Sequence, residues 1–157
     1  MGIGIDRKIM DIWRFALADT TLSPIVGQHD LALMLLSFLV ILVASFVVAL
    51  IIPNIQQSKQ RNYRTLWISS ASIALGVGIW AMHFIAMIAL NLPVTIQYDT
   101  YFTLLSIPPA IAGSSLFLSL LTQTLFNKQA FILSVLGLAL GVGSMHFLGM
   151  EAITETV

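Results

Sequence analysis

The sequence predicts an all-α, polytopic membrane bundle: four transmembrane helices built from a duplicated helical hairpin. Three observations lead to that expectation. Hydrophobic residues fill 58% of the 157 positions and charged residues only 9%, against about a quarter charged in a soluble domain; mean hydropathy is +0.95. Four stretches are long and apolar enough to cross a bilayer, which takes about 20 helical residues. Two of them carry the same phrase, because Met82-His83-Phe84-Ile85-Ala86-Met87 recurs 63 residues later as Met145-His146-Phe147-Leu148-Gly149-Met150.

The chain divides into residues 1–28, a first hairpin repeat over 29–95 and a second over 96–157. In the first segment Ile5, Ile9, Ile12, Trp13 and Leu17 recur at helical spacing among Asp6, Arg7, Lys8, Asp11 and Arg14. That pattern suits an amphipathic helix on the membrane surface, or a cap packed on the bundle. The segment lacks the apolar run and cleavage site of a signal peptide. The spans are expected at Leu31–Ile52, Leu66–Leu90, Tyr101–Leu121 and Ala130–Ala152. The third holds Pro108 and Pro109, which remove helix hydrogen bonds and call for a kink.

The repeat extends beyond the shared phrase. His29-Asp30 matches Tyr98-Asp99, Leu36-Ser37 matches Leu105-Ser106 and Ser45 matches Ser114, all at an offset of 69. Ala74 and Gly78 match Gly137 and Gly141 at 63. A duplication of this kind predicts a pseudo-twofold axis along the membrane normal, with equivalent residues at equal depth. The small residues four apart predict seams where helices approach closely in lipid. Asp30 and Asp99 are expected as helix caps, and Ser37 and Ser106 as donors to backbone carbonyls or to a neighbouring helix.

Lys59, Arg61 and Arg64 lie in or beside the first loop and Lys128 in the third, while the second loop and the C-terminal tail hold no Lys or Arg. The positive-inside rule therefore puts loops one and three in the cytoplasm and the N-terminus outward, although Arg7, Lys8 and Arg14 run against it. Both histidines then fall in the outer half of the membrane. Net charge is zero, and no basic face points to nucleic acid. There is no cysteine, which excludes disulfides and thiolate ligands. No nucleophile–base arrangement, carboxylate pair or phosphate loop is visible, so no enzyme is expected.

Residues four apart share a helix face, so His83 pairs with Met87 and His146 with Met150. Met82 and Met145 point about 100° away, toward the glycine faces. If the second and fourth spans pack together, two imidazoles and two to four thioethers converge. Thioether favours Cu(I), and imidazole suits both copper states. The expected metal ligands are His83, Met87, His146 and Met150, with Met82 and Met145 as auxiliaries. His29 is a candidate third ligand or an interfacial residue, and Trp80 a candidate wall of the site. One rival is haem b held by His83 and His146, which needs no methionine one turn on. Another is copper transport, which calls for ligands in the inner half too, whereas Met34 is the only methionine outside the motifs and the N-terminal segment. A structural membrane subunit is the plainest alternative.

Tyr-Asp before an odd helix, Leu-Ser within it, and Gly-x-x-x-Met-His-Phe-x-Gly/Ala-Met in the even helix resemble the MHYT domain, a bacterial integral-membrane sensor module. The resemblance covers roughly residues 29–153. It implies an inner-membrane location, copper bound through Met and His, and sensing of O2, CO or NO, often on behalf of cyclic-di-nucleotide or histidine-kinase signalling domains. Phe84 and Phe147 replace the tyrosine of the namesake motif, Ala86 a glycine and His29 the first tyrosine. Two hairpins stand where the family usually has three. The expected partners are the lipid bilayer, a diatomic gas, and a separate signalling protein or a second copy in a homo-oligomer.

Overall fold

The computed structural model describes residues 28–91, 96–123 and 128–155. The expected surface helix lies outside the described residues. Helix α1 spans Leu31–Gln57, α2 Arg61–Ile88, α3 Thr100–Leu105, α4 Ile107–Gln123 and α5 Lys128–Glu151. Short strands close each hairpin: β1 Gln28–His29 with β2 Leu90–Asn91, and β3 Ile96–Tyr98 with β4 Ile153–Glu155, both antiparallel. The helices α1, α2 and α5, and α3 with α4 together, are long and apolar enough to cross a membrane.

The first span runs five residues past its expected end, through Pro53 to Gln57. A missing amide donor is tolerated near the end of a membrane helix when neighbours satisfy the freed carbonyl. In the third span the two prolines produce a break. Pro108 and Pro109 lack the amides that would bond the carbonyls of Leu104 and Leu105, and their rings crowd those carbonyls. The chain accordingly divides at Ser106, between α3 and α4. The Ser106 hydroxyl donates to the Thr103 carbonyl at 2.6 Å, which keeps this buried residue satisfied.

Residues paired by the sequence repeat make matching contacts. The Asp30 amide donates to the Ala89 carbonyl at 2.8 Å, and the Asp99 amide to the Ala152 carbonyl at 2.8 Å. Both aspartates cap: Asp30 Oδ1 accepts from the amides of Ala32 and Leu33, and Asp99 Oδ1 from that of Phe102. Ser37 donates to the Met34 carbonyl at 2.7 Å, matching Ser106. The seams correspond as well. Gly78 faces the Ala44 methyl of α1, and its counterpart Gly141 faces Gly113 of α4, the residue equivalent to Ala44.

The helices form a row in the order α1, α2, α4, α5, with α2 and α5 meeting only along a short stretch. The expected twofold relation is not found. It would pack α5 on α1 as α2 packs on α4, whereas α1 and α5 occupy opposite ends of the row. The two hairpins are joined head to tail, the even helix of the first against the odd helix of the second. Along the row the interior is small and weakly polar: Ala71, Ser72, Ala110 and Ser114 are buried. The outer faces are large and apolar, with Phe46 62% and Leu140 73% exposed. This distribution suits lipid as solvent, where hydrophobicity does not drive helices together and close packing of small residues does.

Candidate metal centre

His83 lies five residues before the end of α2 at Ile88, and His146 five before the end of α5 at Glu151. At about 1.5 Å per residue, both sit on the order of 8 Å below the strand end of the bundle. The row brings them together. Their ring centroids are 5.0 Å apart with planes at 71°, although α2 and α5 touch only briefly elsewhere.

Gly149, the glycine of the second motif, lies against the first histidine. A Cβ there would lie 3.5 Å from His83 Nε2 and 3.3 Å from Phe84 Cζ. A methyl there would be in ordinary contact with His83 and only slightly tight against the Phe84 ring. His83 Nε2 is buried and has no hydrogen-bond partner among the described residues. A buried polar nitrogen without a partner costs about 1–3 kcal/mol. The site therefore retains a donor atom that protein neighbours do not satisfy.

An aromatic cluster flanks the first histidine. Phe84 packs edge-on to His83 at 5.5 Å, against Trp80 at 5.0 Å and against Tyr98 at 6.1 Å. Trp80 is fixed in turn, its Nε1 donating to Ser106 Oγ at 3.0 Å and to the Thr103 carbonyl at 3.3 Å. Trp80 thus walls the site through Phe84 and ties it to the break between α3 and α4. Tyr98 stands outside the spans, in β3, and burial pushes its phenol above the ordinary value.

The two motifs have unlike surroundings. Phe84 is 8% exposed and Phe147 75%. His83, Met82 and Met87 are half-buried, while His146 lies on the exposed face of α5. Met145 is buried in the core at 1% exposure, and Met150 is 46% exposed. The structure brings the histidines into contact, while the four methionines of the motifs differ in burial. Among the described residues no three His, Cys, Asp or Glu side chains converge. Two imidazoles with thioethers of the same motifs would be a donor set that suits copper rather than hard cations. The proposed third ligand His29 has its backbone in β1 opposite Leu90; its side chain lies outside the described residues. The Gly149 contact and the Phe84 cluster were not read from the sequence. The one available signal was that Gly149 has Ala86 as its repeat partner.

Residues 76–139 match the MHYT family model, described as a bacterial signalling protein N terminal repeat. The chain belongs to the MHYT family. Its relatives include the bifunctional diguanylate cyclase/cyclic di-GMP phosphodiesterase MucR of Pseudomonas aeruginosa, 31% identical over 129 residues, which are 82% of this chain and 19% of the relative. The cyclic di-GMP phosphodiesterase NbdA of the same organism is 31% identical over 88% of this chain and 16% of its own length. The signaling protein YkoW of Bacillus subtilis is 24% identical over 82% and 16% respectively. The MHYT chain thus spans less than a fifth of the length of these curated relatives. No solved structure matches it. The chain is a membrane-spanning module of a signalling family.

Proposed function

We propose that this MHYT module binds copper through His83 and His146 with the thioethers of Met87 and Met150, Met82 and Met145 serving as auxiliary donors, and that it senses a diatomic gas or redox state. The observation that carries the reading is the contact of the two motif histidines around the unpartnered Nε2 of His83. Edge contact between the rings favours a single ion over haem, because a haem lies between its two axial ligands and holds them apart. Bound copper would supply a coordination position open to O2, CO or NO, or a change of oxidation state.

The protein's own part is to hold and report. Gly149 lies beside His83, Phe84 packs edge-on to the His83 ring, and Trp80 connects that cluster to Ser106. Ligand binding shifts such a bundle only if two conformations differ in affinity for the ligand. The break at Ser106, which Trp80 touches, is the place where α3 could move against α4. We place the strand end outward: Lys59, Arg61, Arg64 and Lys128 gather at the opposite end, which the positive-inside rule assigns to the cytoplasm of a bacterial inner membrane. Because the relatives are named for cyclic di-GMP turnover, we assign the module to control of such an output, with no catalysis of its own.

Infrared spectroscopy of copper(I)-loaded protein in nanodiscs under carbon monoxide tests this reading. A new metal-bound C–O stretch is expected, absent from the His83→Ala, His146→Ala double variant. Copper that stays bound while no spectrum changes with carbon monoxide, nitric oxide or oxygen would reduce the module to a metal-binding one.

A further inference from the structure

We infer that the outer faces of α1 and α5 form an interface with a second copy of this chain, α5 of each copy packing on α1 of the other. The surface is read from packing and does not depend on the metal. The two hairpins of one chain are joined by α2 against α4, and the approach is close: a Cβ on Gly76 would lie 2.6 Å from the Ile111 Cα. Joining an even helix to the next odd helix is a head-to-tail contact. It leaves the image of each surface unused at the two ends of the row, and such contacts continue until they close.

The unused surfaces are the repeat images of the used ones. On α2 the stripe Ile68, Ser72, Gly76, Ile79, His83 and Met87 is buried or half-buried. Its image on α5, 63 residues on, is Phe131, Val135, Ala139, Val142, His146 and Met150, and all but Val142 are exposed. On α4 the stripe Ala110, Ser114 and Leu118 is fully buried. Its image on α1, 69 residues back, is Ile41, Ser45 and Ala49, with Ser45 and Ala49 exposed.

A purely apolar face could belong to lipid, but these carry polar groups. The His146 imidazole touches His83 on one side and stays exposed on the other, and Ser45 is exposed; polar groups left to lipid are costly, and such residues in membrane spans face protein. A second copy related by a twofold axis covers both surfaces at once. Ala139 stands where Gly76 does and Leu42 where Ile111 does, so a small residue again meets a branched one. The added methyl of Ala139 sets the two helices slightly further apart than α2 and α4. The contact also seals His146 and Met150 from lipid, completing the enclosure that His83 and Met87 have within one chain.

The chain has no cysteine, so introduced thiols report alone. Differently tagged L42C and A139C chains, co-expressed and held in liposomes, are oxidised mildly, with an I73C chain replacing L42C as the control from another lipid-facing surface. The L42C–A139C pair is expected to give the mixed disulfide dimer at least tenfold more than the control pair. Native mass spectrometry of the unsubstituted chain released from nanodiscs is expected to show a dimer. A monomer, a dimer that cross-links no better than the control, or a complex with a different protein at this face would overturn the proposal.

Discussion

Replacing Gly141 with leucine is expected to part the second hairpin. A Cβ at Gly141 would lie 2.6 Å from the Gly113 Cα and 2.7 Å from the Pro109 carbonyl oxygen. Both obstacles are backbone, so no rotamer change relieves them, and α4 and α5 must separate. Overpacking of this kind costs about 3 kcal/mol or more. Gly143, half a turn further on, has nothing within 4 Å of its position for a Cβ. Gly143→Leu is therefore the matched control, expected to leave stability unchanged. Thermal unfolding in detergent, followed by tryptophan fluorescence, separates the two. Equal midpoints for the two variants would show that the seam does not hold the hairpin.

The second large effect is expected from the His83→Ala, His146→Ala double variant, which should lose copper entirely after dialysis while keeping its helical circular dichroism. Each single variant should weaken binding by at least about tenfold, the scale at which even the outer partners of a metal site count. Helicity should survive because neither imidazole makes a hydrogen bond that the fold requires: His83 Nε2 has no partner among the described residues, and His146 sits on an exposed face. Metal analysis by mass spectrometry reads the result. Full copper retention in the double variant would remove both histidines from the site.

Much of this was legible because membrane constraints are local. Asp30 and Asp99 declared themselves as caps by standing before apolar runs, and both accept helix amides. Gly78 and Gly141 marked the seams because only small residues let helices approach closely in lipid. The histidines were paired by repeat arithmetic and meet at 5.0 Å. What the pattern concealed was the arrangement of the row. Helix α1 is apolar nearly all round, broken through Pro53 only by Ser37 and Ser45, so periodicity does not mark which face meets protein. A repeat also shows that two hairpins are equivalent without showing the rotation between them, and a twofold axis was the wrong choice. The inequality of Phe84 and Phe147 follows from the head-to-tail row, since equal neighbours require a closed relation. The strands are two or three residues long, too short for an alternating signal; hairpin closure fixes them. The break at Ser106 falls before the prolines because a proline acts on the carbonyls of the preceding turn.

On the proposed reading the two motifs build one metal centre rather than two. X-ray absorption at the copper edge, on protein loaded with copper(I) in nanodiscs, tests it most directly. One copper per chain is expected, with two imidazole nitrogens and at least one thioether sulfur, falling to one imidazole in either His83→Ala or His146→Ala. Two coppers per chain with one imidazole each, or a ligand set that neither substitution alters, would contradict it.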